Sequence, residues 1–368
     1  MKGYYLYAPV DCSSVGAATG IERKVRSQHK ILSEHFSCDL VILPPVEFHG
    51  SIREKIIRRL PFTAAWRKWK YSGGFDDADF VYIRAVDHDD TFVKYLRDIK
   101  RNNPTVKIIY EIPTYPYGED DRYNLSNFMF LLKERTCRIR AAKYMDRIVT
   151  FYGQNSIWGV PCLKLMNGYD FSSVALPNRE KPQTIELISV ASTASWHGYD
   201  RVFKGLREYY DAGGTEIINF HVVGTILPEH EELVSDLKLE NCVIFHGKLS
   251  GDALYDIYQK CSIGIDVLGG FRIGYTISSS LKSREYAAYG MPLITASPVD
   301  YLPEDCPYQL ILPNNDEPID MQKVVAFFHE LYDDQDSKSL ASKIREYGIQ
   351  RIDMHVTMEP ILKYIESN

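Results

Sequence analysis

Short apolar runs alternate with amphipathic segments along almost all of the 368 residues. A strand that is apolar at nearly every position has to be covered on both faces, which is the condition of a parallel sheet in an α/β protein. In the first half such runs are "GYYLYAP", "CDLVILP", "DFVYIRA", "VKIIYEI", "RIVTFY" and "CLKLMNG". In the second half they are "TIELISVA", "EIINFHVVG", "NCVIFHG", "SIGIDVLG" and "MPLITA". Between them lie helical patterns, the clearest being "GIERKVRSQHKILSEHF", in which Ile21, Val25 and Leu32 fall on one face with charge opposite. Further helices are expected near 199–212, 229–238 and 250–260. The expected class is α/β, with doubly wound parallel sheets.

At ~100–200 residues per domain the chain should form two domains. The seam is placed at "SSVALPNREKPQT" (Ser172–Thr184), a polar, proline-bearing stretch, and after Pro313 the pattern is helical. In open parallel sheets ligands bind beyond the carboxyl ends of the strands. Two such domains facing each other would each hold one ligand.

The net charge of −6 hides an asymmetry. Residues 1–170 carry 26 Lys and Arg against 20 Asp and Glu; residues 171–368 carry 17 against 29. The basic excess is concentrated in "IREKIIRRLPFTAAWRKWKYSGG" (Ile52–Gly74), with seven basic residues, one acid, two Trp and one Phe. It reads either as a solvated helix face or as a patch for an anionic membrane, with Phe62, Trp66 and Trp69 reaching the headgroup boundary. Nucleic acid is not the expected partner, because no RNA- or DNA-binding motif accompanies the charge. "MKGYYLYAPVD" reads as an aromatic strand rather than a signal peptide, and no apolar run approaches the ~18–20 residues of a membrane span. The seven cysteines are odd in number and lack close pairing, as expected of free thiols in a reducing compartment. No metal site is expected: "HEEL" at His230 lacks a second histidine four residues on. "AVDHDDTF" contains Asp87-x-Asp89, but between a strand and a helix it is better read as an N-cap than as a metal pair.

Three loops carry candidate chemistry. "SSVGAATGIER" follows the first strand; Gly16 and Gly20 allow close backbone approach, and the helix start offers N–H groups to an anion. "SVASTASWHGYDRVFKGL" follows the first strand of the second domain and supplies Ser192, Thr193, Ser195, His197, Arg201 and Lys204. "SSSLKSREYAAYGMPLITA" follows a Gly-rich loop, "LGGFRIGYT". Its Lys282 and Glu285 share a helix face, while the run "EYAAYGMPLI" that continues it is small and apolar. A helix of that composition is buried, so its charges must face something. They form either a surface-type ion pair or a site.

"LKSREYAAYGMPLI" resembles the Lys-x-x-Glu-Tyr…Gly-x-Pro segment of glycosyltransferase family 4, retaining enzymes of the GT-B fold. "SWHGYDR" resembles the donor-side loop of its bacterial polysaccharide members, "NGYD" (Asn167–Asp170) their inter-domain segment, and "YEIPTYPYGED" (Tyr110–Asp121) their cleft loop. The matches keep the family's order and run from about Gly16 to Ala296.

The resemblance implies two Rossmann-like domains across a cleft. The acceptor side is 1–170, with a C-terminal helix at about 350–368 packing back on it; the donor side is 171–349. Lys282, Glu285, Arg201 and His197 would be catalytic, and Ser192, Trp196, Gly198, Gly224, Arg272 and Ser283 would bind the donor. Gly16, Thr19, Gly20, Glu111, Tyr115 and Tyr117 would line the acceptor side. Two positions depart from the family. Ile277 stands where a hexose-contacting glutamate usually lies, with Arg272 and Asp266 as candidates for that role, and His197 replaces a phosphate-binding lysine.

The implied activity is transfer of a hexose or N-acetylhexosamine from a nucleotide-diphosphate sugar to a saccharide or polyprenyl-diphosphate-linked acceptor in cell-surface polysaccharide synthesis. No cofactor beyond the donor is implied. The location is cytoplasmic, peripheral at the inner face of the plasma membrane. A nucleotide-sugar 2-epimerase or an inactive carbohydrate-binding homologue would share the same outline.

Overall fold

The computed structural model describes residues 1–9, 20–44, 51–60, 69–85, 88–113, 115, 128–151 and 153–367, with backbone alone at 58, 59 and 128–131. The chain divides into two compact units, Met1–Leu165 with Thr357–Asn368, and Met166–Val356. The polar segment Ser172–Thr184 lies inside the second unit. There the buried Arg179 donates from Nε to the Tyr258 carbonyl (3.0 Å) and from Nη1 to the Tyr289 carbonyl (2.9 Å).

The first unit is built on β1 (Lys2–Tyr7), β2 (Ser37–Ile42), β3 (Phe80–Arg84), β4 (Lys107–Glu111), β5 (Arg147–Thr150), β6 (Ser156–Ile157) and β7 (Val160–Lys164). Their order is β2-β1-β3-β4-β5-β7-β6. All pairings are parallel except β6 with β7. Every residue of β3 is buried, as the continuous apolar run requires. The helices are α1 (Gly20–His35), α2 (Ile52–Arg59), α3 (Asp90–Asn102) and α4 (Phe128–Ala142). In α1, Val25, Ile31 and Leu32 face the core, but Ile21 is exposed: the stripe begins one turn later than the spacing indicates. Asp89 is the N-cap of α3, accepting from the Thr91 and Phe92 N–H groups at 2.9 and 3.0 Å. Asp87 lies outside the described residues.

The second unit contains β8 (Ile185–Val190), α5 (Tyr199–Asp211), β9 (Ile218–Val223), α6 (Pro228–Asp236), β10 (Val243–Gly247), α7 (Gly251–Lys260), β11 (Ile263–Ile265), α8 (Leu281–Ala288), β12 (Leu293–Thr295), β13 (Gln309–Ile311), α9 (Met321–Tyr332) and α10 (Ser337–Ile352). Its sheet is parallel throughout, in the order β10-β9-β8-β11-β12-β13. The chain builds outward from β8 to β10, then crosses to β11 on the other side of β8. The carboxyl ends of β8 and β11 therefore flank a topological switch point, where an open α/β sheet binds its ligand. The sequence pattern missed β13, three residues long, and β6, two residues long. Helix α11 (Met354–Glu366) ends the chain. Lys107 Nζ holds it in the first unit through the Tyr364 and Ile365 carbonyls, at 3.1 and 2.9 Å.

The membrane reading of Ile52–Gly74 needs a correction at Trp69. This residue is buried in the first unit's core, 4.8 Å from the Phe92 ring and 5.2 Å from Tyr95. Trp66, Phe62, Arg67 and Lys68 lie outside the described residues. The six described cysteines are free thiols, five of them buried. Trp69→Ala should lower the free energy of unfolding by about 3–5 kcal/mol, the usual cost of truncating a core aromatic. Urea denaturation measures it, and an unchanged midpoint would contradict the burial.

Candidate functional site

The charged turn of α8 sits at the switch point. Ser280 caps the helix, its Oγ accepting from the Ser283 N–H at 3.2 Å, and every residue from Lys282 to Ala288 is buried. Lys282 Nζ donates to the Asp266 carbonyl (2.8 Å) and lies 3.4 Å from that of Ile265, both at the end of β11. The Asp266 carboxylate is sealed in, accepting from the Ser278 hydroxyl at 2.7 Å and from that of Ser280. Burial pushes the Lys282 amine down to about 8, against the pull of Asp266. Glu285, one turn along, is also buried.

Arg284 points elsewhere. Its Nε donates to the Asn167 carbonyl at 3.0 Å and its Nη2 meets Asp300, while Asn167 Nδ2 donates to the Ser279 carbonyl at 2.8 Å. The "NGYD" asparagine and Arg284 thus brace the start of α8 from behind. Ser283, expected to bind the donor, is fully buried; its hydroxyl donates to the Ser280 carbonyl at 3.0 Å and accepts from Arg284.

The loop after β8 docks on the loop after β11. The Gly269 N–H donates to the Trp196 carbonyl at 3.0 Å, and the Leu268 N–H to that of His197 at 3.3 Å. Gly198 has φ 69°, and a Cβ there would lie 2.7 Å from the Gly269 nitrogen, so no side chain fits. Gly224, at φ 134°, packs the end of β9 against the exit of β8; a Cβ would lie 1.8 Å from the Ala191 carbonyl oxygen. Ser192 and Trp196 are exposed beside this junction. His197 is buried, with Nδ1 accepting from the Ala194 N–H at 3.0 Å. Burial, then Lys282 and His230, hold its imidazole far below its usual pKa. The ring is neutral and its proton is on Nε2, a donor that carries no charge.

Arg201 was expected to be catalytic, but its guanidinium is turned inward. Nε donates to the Glu317 carbonyl (2.6 Å), Nη1 to that of Leu268, and Nη2 to the Pro313 carbonyl (2.9 Å) and Asn315 Oδ1 (3.2 Å). Its work is to tie loops together. Arg272 is the half-buried guanidinium of the group, and it is paired with Asp200 and Asp316. Neither of the residues considered for the glutamate's role stands free to take it, while Ile277 is 56% exposed.

His230 was missed in the sequence except as a failed zinc motif. It is buried in the first turn of α6, 5.8 Å from the Tyr199 ring and 5.9 Å from Phe203. Its Nδ1 hydrogen-bonds none of the described residues. No periodicity could have placed it, because α6 reaches the site through a loop.

On the first unit, Glu111 ends β4 fully buried. It accepts from Gln28 Nε2 at 2.8 Å and from the Tyr82 hydroxyl, and pairs with Arg84 and with Lys24 at 3.4 Å. Tyr115 is half-buried and Gly20 opens α1. Gly16, Thr19 and Tyr117 lie outside the described residues. Among the described residues, no group of His, Cys, Asp or Glu side chains is arranged to hold a metal ion.

No family model and no curated protein matches the chain. Solved structures do. Over the full length of both chains it is similar to Anabaena Alr3699/HepE, solved with UDP, at 13% identity and a TM-score of 0.64. The same Anabaena protein with UDP-glucose gives a TM-score of 0.60. A glycosyltransferase from Rickettsia africae matches over 100% of this chain and 99% of its own, at 12% identity and a TM-score of 0.62. The sucrose-phosphate synthase of Thermosynechococcus elongatus matches over 99% of each chain, at 12% identity and a TM-score of 0.59. The chain therefore has the GT-B glycosyltransferase fold, with its two parallel sheets.

A buried lysine near 8 should be visible in solution. Carbon-13 NMR of the lysine Cε should show Lys282 titrating at about 8, and Asp266→Asn should move that midpoint lower by removing a counter-charge. Between pH 8 and 10.5 the unfolded chain binds the proton that the folded chain has lost. The group's contribution to stability therefore improves as pH climbs through that window, and its full burial penalty applies below it. A midpoint above 10 would remove the account.

Proposed function

We propose that the chain is a glycosyltransferase that takes its sugar from a UDP-linked donor. The observation that carries the reading is Lys282, a buried amine aimed at the carboxyl end of β11, in a fold whose solved relatives hold UDP and UDP-glucose. As the glycosidic bond breaks, negative charge grows on the leaving diphosphate. Preorganised donors stabilise that charge more in the transition state than in the ground state. Lys282 supplies a full charge, His197 Nε2 a neutral N–H, and the start of α5 the positive end of its helix dipole. Lys282 gains a proton affinity when a phosphate arrives, so a binding step at pH 8 takes up protons.

The finer reading follows the family resemblance. The donor sugar is a hexose or N-acetylhexosamine, and the acceptor hydroxyl attacks from the face that the diphosphate leaves. The bond from the anomeric carbon to the phosphate oxygen breaks as the new one to the acceptor oxygen forms. The acceptor's proton passes to the departing phosphate, and configuration is retained. Glu285 would hold the nucleoside end. Lys282→Ala should cut transfer from a UDP-sugar by at least a hundredfold while leaving the melting temperature unchanged or higher. Turnover near the wild-type rate would sink the assignment.

The acceptor is a lipid-linked saccharide, and the protein works on the inner face of the plasma membrane. The support is a stripe on the first unit different from the one Trp69 implied. Ile52 and Ile56 on α2 and its C-cap Leu60 are exposed at four-residue spacing, beside Arg53 and Lys55. On α4, Leu132 and Ile139 are exposed beside Arg135, with Lys143 just past the helix end. Apolar side chains rimmed by cations suit the headgroup boundary of an anionic bilayer. Among the described residues no helix is long and apolar enough to cross a membrane. Ile52→Glu with Ile56→Glu should reduce co-sedimentation with vesicles containing phosphatidylglycerol at least tenfold. Unchanged sedimentation would remove the membrane from the reading.

A further inference from the structure

Arg272 lies on the 3-10 turn Gly270–Ile273 that follows β11, and four of its N–H groups are accounted for. Nη1 donates to the Ser195 carbonyl and to Asp200 Oδ1, each at 2.8 Å. Nη2 donates to Asp200 Oδ2 at 2.8 Å and to Asp316 Oδ1 at 2.5 Å. The two carboxylates are not equivalent. Asp200 grips the guanidinium with both oxygens, and the two side chains are 22% and 21% exposed. Asp316 makes one contact and is 69% exposed. A fork-to-fork pair fixes direction, whereas a singly held surface carboxylate adds little.

The loop that carries Asp316 does not depend on that contact. Arg201 holds it through Pro313, Asn315 and Glu317, and Asn314 holds it through the Phe271 N–H at 3.0 Å and the Tyr275 carbonyl at 3.1 Å. Asp316 can therefore swing out by rotating its own side chain, with the backbone left in place. The outward N–H it covers belongs to a guanidinium already aimed by Asp200 and Ser195. Both of these flank the His197 loop at the switch point.

We propose that Arg272 binds the diphosphate of the donor, that Asp200 is its positioning residue, and that Asp316 is a displaceable carboxylate which the phosphoryl oxygen replaces. The inference rests on the nucleotide-sugar reading above and adds Asp200 and Asp316 to it. While paired, Asp316 both occupies the donor N–H and repels an incoming anion. It thus lowers affinity for anything too weakly charged to displace it. A dianionic diphosphate displaces it; a neutral sugar does not.

Calorimetric titration with UDP, together with steady-state kinetics on a UDP-sugar, tests this. Asp316→Ala, at an exposed position that should not affect folding, is expected to tighten UDP binding by threefold or more. It should lower KM for the donor similarly, with kcat within twofold of wild type. Asp200→Asn, which keeps the shape of the side chain but weakens its grip, should loosen UDP binding at least fivefold, and Arg272→Lys at least tenfold. In the Arg272→Ala/Asp316→Ala double variant the gain from Asp316→Ala should vanish, a coupling that a purely structural aspartate would not show. If wild type binds UDP and Asp316→Ala binds it equally or more weakly, the inference is overturned and the function stands. If wild type binds no UDP, the function itself falls, and the inference with it.

Discussion

The loops at the switch point of the second unit depend on one buried cation. Arg201 is 1% exposed, and among the described residues no carboxylate is hydrogen-bonded to its guanidinium. It is held by the carbonyl oxygens of residues 268, 313 and 317 and by the amide oxygen of Asn315. An unpaired buried charge is very costly unless its protons are met by fixed dipoles. Here those dipoles come from two different loops, so satisfying the charge sets where the loops lie. The contact of Gly198 with Gly269 and the direction of Arg272 follow from that placement.

Much of this fold was legible because parallel sheets write themselves as continuous apolar runs. Eleven such runs correspond to strands of the two sheets, from β1 to β12, with only the two-residue β6 and the three-residue β13 missed. Both are too short for any periodicity to register. Ile21 and Trp69 show where local pattern fails. Ile21 fits the helical spacing yet precedes the first turn that touches the core. Trp69 sits in a basic stretch yet packs on aromatic residues more than twenty positions away. Burial is decided by contacts distant in sequence, which composition does not report.

The candidate site was legible only in part. Lys282 stood out because a cation leading into the small, apolar run of α8 had to be either half of an ion pair or part of a site, and Asn167 was noticed through its neighbours, although its bond to Ser279 was not foreseen. Arg201 shows the opposite. A basic residue near an expected anion site was read as facing the anion, but its partners are backbone carbonyls more than sixty residues on. Carbonyls are the same in every residue, so no sequence signal marks which of them will accept. Asp200, Asp316 and His230 were missed for a related reason: each acquires its meaning only once loops separated along the chain are brought together.

The division of the chain has a consequence for how the molecule is made. Residues 357–367 belong to the first unit, where Lys107 and Arg147 meet the carbonyls and the ring of the terminal helix, with Tyr364 4.5 Å from the Arg147 guanidinium. A ribosome adds them only after the whole of the second unit, at about 5–20 residues per second. The first sheet is thus synthesised early but waits about 10–40 s for its last helix. During that interval the first sheet stands without its last helix while the second unit is being made.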